Sequence, residues 1–390
     1  MKRTVLFFVF TLTAFCYSVQ ANLRIDQLLG WMTENELTAC GLDKLTPEQK
    51  RAFDHWIDTK CPQYYVSLTR KVEAQDLAWC LGTVPFASNI GPDTTPDTLD
   101  DQPMDWRLSL CAIFQDEALY LKEWIEFYKL MGVEHFYLYN NQSRDNYYEV
   151  LEPYIRSGEL ELFEWPITSF GRNQCYCYSH AIRLAKGKTR WLIIADTDEF
   201  MFPLQHETIT DFLKEYEHPW AGGVVVSWRC YGTSHLSCLP PGGLLTELLT
   251  FRSEDHSELV KSIVKPHRVQ DMINPHWALY KPGFYAYDEN WNHIVHHCNP
   301  RSPASRIRCN HYYTRDEHFF YNIKTPRGLK GNRSINRLDE SDLIVTEEML
   351  DGHRAFDATL NKVEDLSIYR FLPGLKQRMK CDSKKEKSSQ

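Results

Sequence analysis

An apolar run, Trp191-Leu192-Ile193-Ile194-Ala195, ends in Asp196-Thr197-Asp198-Glu199, and no other stretch constrains the chain as tightly. The run lacks the alternation of a half-exposed strand, so it predicts a strand buried on both faces, as in a parallel sheet. Carboxylates in a row do not belong in a core. They belong in the crevice beyond the strand's carboxyl end, where open α/β sheets bind ligands. Asp196 and Asp198 are hard oxygen ligands for Mg2+ or Mn2+, and through such an ion they would hold a diphosphate, as at a sugar-nucleotide site. The competing reading is an acidic turn capping the next helix. The buried strand in front favours the ligand site.

The neighbouring sequence alternates between strand and helix patterns. Leu108 to Phe114 reads as a buried strand. Tyr120, Trp124, Phe127 and Met131 recur at helical spacing, and Gly132 stands where a C-terminal cap belongs. A strand from His135 to Tyr139, a turn at Asn140 to Asp145 and a helix to Arg156 follow. Then come a strand from Leu160 to Glu164, a helix from about Gln174 to Lys186, the acidic strand itself, and a strand from Gly223 to Trp228. Alternation of this kind implies right-handed crossovers and an α/β domain around a mostly parallel sheet, spanning residues 105–375.

The rest of the chain reads differently. Lys2 and Arg3 precede an apolar run from Val5 to Tyr17, and Val19-Gln20-Ala21 has a cleavage-site pattern, so residues 1–21 read as an export signal. The run is short for a membrane span; a single uncleaved N-terminal anchor is the alternative, and the only route to a membrane. Residues 22–90 read as a small helical module, with Thr46 as N-cap, Pro47 at the first helical position and Gln49 completing a capping box. Residues 91–104 are a Pro- and Asp-rich linker, and residues 376–390 a charged, disordered tail. The net charge of −8 shows no basic face and argues against nucleic acid as a partner. Of the 12 cysteines, Cys230 with Cys238 and Cys298 with Cys309 are plausible loop-closing pairs after export. Cys175-Tyr176-Cys177 lacks the spacing of a zinc site.

Several groups then fall where the sheet logic puts a site. Gln115, Asp116 and Glu117 end the first strand, Asn140 and Asn141 the second, and Gln174 opens the helix before the acidic strand. His311 lies in Asn310-His311-Tyr312-Tyr313, and Lys324 and Arg327 are positioned to reach a diphosphate. These segments resemble glycosyltransferase family 92. The matching stretches run from Gln115-Asp-Glu through Tyr120 to Tyr128, Gly132 to Asn141, Trp191 to Pro203, Ser227-Trp-Arg, Gly232-Thr-Ser, Lys261 to Pro266 and Asn310 to Gly328. They cover about residues 106–330 and say nothing about residues 22–103.

The resemblance implies a nucleotide-diphospho-sugar (GT-A) fold: a mostly parallel mixed sheet flanked by helices. It implies that Asp196 and Asp198 bind a divalent metal (Mn2+ or Mg2+) and the nucleotide diphosphate, with His311 a further metal ligand. Gln115, Asp116 and Asn140 would lie on the nucleotide side, although Asn140 stands where the family pattern often has an acidic residue. It also implies an inverting hexosyltransferase using a donor such as UDP-galactose and a glycan or other hydroxyl acceptor.

Inversion needs one general base on the acceptor hydroxyl. Glu247 is the first candidate, Glu317 the second and Asp288 the third. Trp228 is a candidate to stack on the acceptor sugar. Two other classes compete: a non-catalytic glycan-binding protein on a transferase scaffold, against which the intact Asp196, Asp198 and His311 speak, and a metal-dependent hydrolase, which would want more clustered ligands.

Overall fold

The computed structural model describes residues 45–48, 50–51, 102–165, 173–255, 257–300, 304–325 and 347–386. The export signal, nearly all of the helical module, most of the linker and Arg327 lie outside them. Within the module, Pro47, Glu48, Lys50 and Arg51 are helical, and the Lys50 amide donates to the Thr46 carbonyl at 3.1 Å. The chain divides into two compact units, Met1–Thr94 and Thr95–Gln390. The second unit carries the sheet.

Its strands are β1 (Trp106–Phe114), β2 (His135–Asn140), β3 (Leu160–Glu164), β4 (Thr189–Ile194), β5 (Glu199–Pro203), β6 (Ala221–Cys230) and β7 (Phe251–Arg252). They continue with β8 (Val260–Val264), β9 (Val269–Asn274), β10 (Trp277–Tyr280), β11 (Tyr285–Tyr287), β12 (His293–Ile294), β13 (Ile307–His311) and β14 (Val363–Glu364). Two-stranded ribbons form from β9 with β10 and from β7 with β14; the others make one 10-stranded sheet in the order β12-β11-β6-β8-β4-β1-β2-β3, with β13 joining β5 to β6. The pairs β1–β2, β1–β4, β2–β3, β6–β11 and β6–β13 are parallel. The mixed, mostly parallel sheet that the resemblance implied is therefore present. A simple β-α-β-α succession does not anticipate β8, which lies antiparallel between β4 and β6. Its run Val260-Lys261-Ser262-Ile263-Val264 is interrupted by a charge, which hides a fully buried strand.

Alternation along the central strands divides their side chains between two cores. Leu108, Leu110, Phe136, Leu138, Trp191 and Ile193 join one cluster; Cys111, Tyr137, Tyr139, Leu192 and Ile194 join the other. Helix α1 (Ala118–Leu130) packs on the first face beside α2 (Tyr147–Arg156) and the helix Leu372–Glu386, while α3 (Asn173–Ala185) packs on the second. Gly132 closes α1 with φ +95°, and a Cβ there would meet Thr210 Oγ1 at 2.3 Å. Both the backbone and the packing demand glycine.

The expected disordered tail is a correction. Residues 376–386 continue the helix that starts at Leu372. Leu372 and Leu375 are buried and Met379 packs on the same core, a helical spacing that outweighs the charged composition. Among the described residues no helix is long and apolar enough to cross a membrane.

Candidate functional site

β4 ends at Ile194, and the chain turns through Asp196 and Thr197 before β5 begins at Glu199. Helix α1 fixes this turn. Trp124 Nε1 donates to the carbonyls of Asp196 at 3.1 Å and Glu199 at 3.0 Å, and the Tyr128 hydroxyl donates to the Glu199 carbonyl at 3.0 Å. The Asp196 amide in turn donates to Glu199 Oε2 at 2.9 Å. The aromatic residues of α1 thus hold an acidic turn at the carboxyl edge of the sheet as well as filling the core.

Continuing the alternation of β4 sends Asp196 toward α3. There Gln174 Nε2 and the Tyr178 hydroxyl, one helical turn apart, donate to its Oδ1 at 2.9 and 2.7 Å. The Lys261 ammonium, fully buried on β8, lies 3.0 Å from Asp196 Oδ2 and 3.6 Å from Glu199 Oε2. Burial opposes charge on Asp196, but Lys261 and the Tyr178 hydrogen bond keep its carboxyl below the usual range. Burial likewise disfavours the Lys261 ammonium, and Asp196 and Glu199 reverse this, pushing its pKa up.

Asp198 points elsewhere. Its Oδ2 accepts from Lys324 Nζ at 2.8 Å, and its Oδ1 lies 3.4 Å from His311 Nε2. Although burial raises its pKa, Lys324 and His311 hold the carboxyl well below the usual range. Ligand atoms of Asp198, Glu199 and His311 all lie within 4.8 Å of one another. Glu199 Oε1 and His311 Nδ1 are buried without hydrogen-bond partners. Two carboxylates and an imidazole with unspent buried atoms fit a divalent cation, and the nitrogen shifts the choice from Mg2+ towards a transition ion such as Mn2+. The expected ligands Asp198 and His311 are brought together. Asp196 falls outside this group, because the strand alternation directs it to α3; Glu199, read only as the end of the acidic run, falls within it.

The other expected residues are distributed around this edge. Phe114 pairs with Asn140 in the β1–β2 register, so Gln115, Asp116 and Asn140 all sit at the carboxyl ends of neighbouring strands. Asp116 Oδ1 accepts from the Arg144 amide at 2.7 Å. Asn140 is spent within the protein: Nδ2 donates to Glu164 at 2.7 Å and Oδ1 accepts from the Ser143 amide at 2.9 Å. Its role is to shape the turn after β2. Trp228 is buried, with its ring 4.2 Å from that of His311 and 5.0 Å from that of His276. It wedges the imidazole in place and leaves no open face for an acceptor sugar.

The three base candidates separate clearly. The Glu247 carboxylate is ion-paired with Lys376 of the C-terminal helix. Asp288, fully buried, accepts from the amides of Asn290 and Asn292 and the side chains of Asn292 and Asn299, four donors at 2.9–3.2 Å. That fills a carboxylate's lone pairs and marks a loop clamp. Glu317, at the start of the short helix Glu317–Phe319, is half-buried, and its carboxylate makes no hydrogen bond or ion pair among the described residues. It lies on the segment that carries His311 and Lys324.

Sequence reasoning gave Lys261, Tyr178 and His276 no role. Lys261 had a visible signal, a charge inside an apolar run, which demands a buried partner. His276 had none; burial, helped by Lys261, lowers its pKa to about 3 and keeps it neutral. The expected disulfides are a further correction: Cys230, Cys238 and Cys309 are free thiols, which excludes both pairings. Cys309 lies buried on β13, while Cys298 bridges through its backbone to Leu259 and Cys238 is exposed.

The family described as Glycosyltransferase family 92 matches residues 107–340. A family 92 protein of Oryza sativa subsp. japonica is 26% identical over 197 residues, 47% of this chain and 32% of the relative. One from Arabidopsis thaliana is 28% identical over 172 residues, 41% of this chain and 28% of the relative. The chain thus spans about a third of the length of the curated relatives it matches. Among solved structures, S. aureus TarS 1-349 is 11% identical, covering 65% of this chain and 73% of that one at a TM-score of 0.30. The mannosyltransferase PcManGT of Pyrobaculum calidifontis, in complex with GDP-Man and Mn2+, is 18% identical, covering 35% and 39% at a TM-score of 0.26.

Proposed function

From the premise that the chain belongs to glycosyltransferase family 92, we propose that it is a metal-dependent, inverting hexosyltransferase. Its donor is a nucleotide-diphospho-sugar, with UDP-galactose favoured, and its acceptor a glycan or other hydroxyl compound. The observation that carries this reading is the group Asp198, Glu199 and His311, with buried unpartnered atoms on two of its members.

A divalent ion held by these three residues would supply Lewis-acid stabilisation to the departing diphosphate. The chain's own groups do the rest. Gln174, Tyr178 and Lys261 fix Asp196 at the edge of that site, and Trp228 fixes the His311 ring. Gln115 and Asp116 sit on the nucleoside side, and Lys324 reaches the diphosphate; Arg327, a second candidate for it by sequence, lies outside the described residues. The acceptor hydroxyl loses its proton to a carboxylate as its oxygen bonds to the anomeric carbon and the diphosphate leaves. Glu317 is the base in this reading, because Glu247 and Asp288 are engaged by the fold.

If residues 1–21 act as the export signal that their sequence suggests, the enzyme works in a secretory lumen or outside the cell, or on a membrane where that segment is retained. The test of function is a scan of nucleotide sugars with Mn2+ and mixed glycan acceptors, read as donor turnover. Release of nucleoside diphosphate from one donor is expected. Glycan binding with no turnover of any donor would replace the transferase with a glycan-binding protein.

A further inference from the structure

Two lysines neutralise the acidic turn, and they are not equivalent. Lys261 is fully buried and shared between Asp196 and Glu199. Lys324 holds Asp198 alone, at 2.8 Å, and its side chain is 23% exposed. It closes the π-helical turn Phe320–Lys324, a geometry common at functional positions. Its ammonium also rests 3.7 Å from the centre of the Tyr313 ring, which is itself open to solvent.

Resting on the metal-dependent reading above, we infer that Lys324 is an exchangeable counter-ion: it holds Asp198 in the metal-free protein, yields that carboxylate to a divalent cation, and turns to the ligand's diphosphate. A cation on Asp198 withdraws the attraction that holds the ammonium and repels it directly. The side chain is able to respond because, among the described residues, its flexible stem is anchored at one carboxylate and one exposed ring. Lys261 lacks that freedom, since leaving would strand two carboxylates around a buried position. No covalent step is involved. Lys324 therefore opposes the metal and supports the nucleotide, two effects of opposite sign from one side chain.

The test uses the full chain with Lys324→Met and Lys324→Arg, their folding checked by thermal melting. Mn2+ alone is titrated by electron paramagnetic resonance; UDP and GDP are titrated by calorimetry in saturating Mn2+. Lys324→Met should bind Mn2+ alone about three- to tenfold more tightly, and the nucleoside diphosphate about tenfold more weakly. Lys324→Arg should stay near the wild type in both. Mn2+ affinity that is unchanged or weakened in Lys324→Met, with wild-type binding intact, overturns the exchange and leaves the metal site standing. A wild-type chain that binds neither Mn2+ nor nucleotide overturns the site itself, and the exchange with it.

Discussion

Glu199 stands opposite His311 in the antiparallel register of β5 and β13. The ladder therefore brings a carboxylate and an imidazole from distant parts of the chain to one place, and Asp198 joins them from the adjoining turn. Backbone pairing, more than side-chain packing, sets the geometry of the site.

Glu199→Gln keeps the shape of this position and its hydrogen bond from the Asp196 amide, but removes the carboxylate that a cation would use. Mn2+ affinity should fall by at least about tenfold while the protein stays folded, as measured by metal titration and melting. Unchanged affinity would remove Glu199 from the ligand set.

Lys261→Met tests the buried pair from the other side. Its ammonium is fully buried beside a fully buried Glu199 and a partly exposed Asp196. The variant should lose about 3–5 kcal/mol of stability in urea unfolding. A loss below about 1 kcal/mol would show that the two carboxylates do not depend on it.

The sequence makes most of the fold and half of the site readable. The strands from Trp106 to Ile194 and the helices between them follow apolar periodicity, because each buries one face or two in the cores that flank the sheet. β8 escapes that logic, since Lys261 breaks its apolar pattern and only a partner from a distant turn makes the charge tolerable. Asp198 and His311 are legible because residue type and motif carry them. That Glu199 and not Asp196 lies beside Asp198 and His311 is not legible: it depends on the four-residue turn Ala195–Asp198, and the sequence does not specify where β5 begins. Glu247 looks as exposed as Glu317 until the C-terminal helix, misread as disordered, brings Lys376 onto it.

The base is tested by comparing Glu317→Gln, Glu247→Gln and Asp288→Asn. Glu317→Gln should lower turnover by about two to four orders of magnitude with donor binding retained. Glu247→Gln should remain active, and Asp288→Asn should lose stability through its loop clamp before it loses chemistry. A dead Glu247→Gln beside an active Glu317→Gln would return the role to Glu247.

Acid sensitivity should trace in part to Asp365, whose carboxylate accepts from Arg252 Nε at 2.7 Å and Arg308 Nη2 at 2.6 Å. Burial raises its pKa, but the two arginines hold it far below the usual carboxylate range. The unfolded chain therefore takes up the proton first as pH falls. The stabilisation is fully present above the unfolded value and is lost below it. Asp365→Asn should be less stable at neutral pH by about 3 kcal/mol. It should also lose less of its stability than the wild type between about pH 5 and 2, followed by urea unfolding across pH. Parallel curves would exclude Asp365 as a source of the acid limb.

Asp198, with Glu199 and His311, is proposed to bind a nucleoside diphosphate through a divalent cation. Calorimetric titration of UDP and GDP into the full chain, in Mn2+ and in EDTA, and repeated with Asp198→Asn, tests it most directly. Binding in Mn2+ that disappears both in EDTA and in the folded variant is the expected result. Equal affinity with and without the metal, or an Asp198→Asn protein that binds as the wild type does, would contradict it.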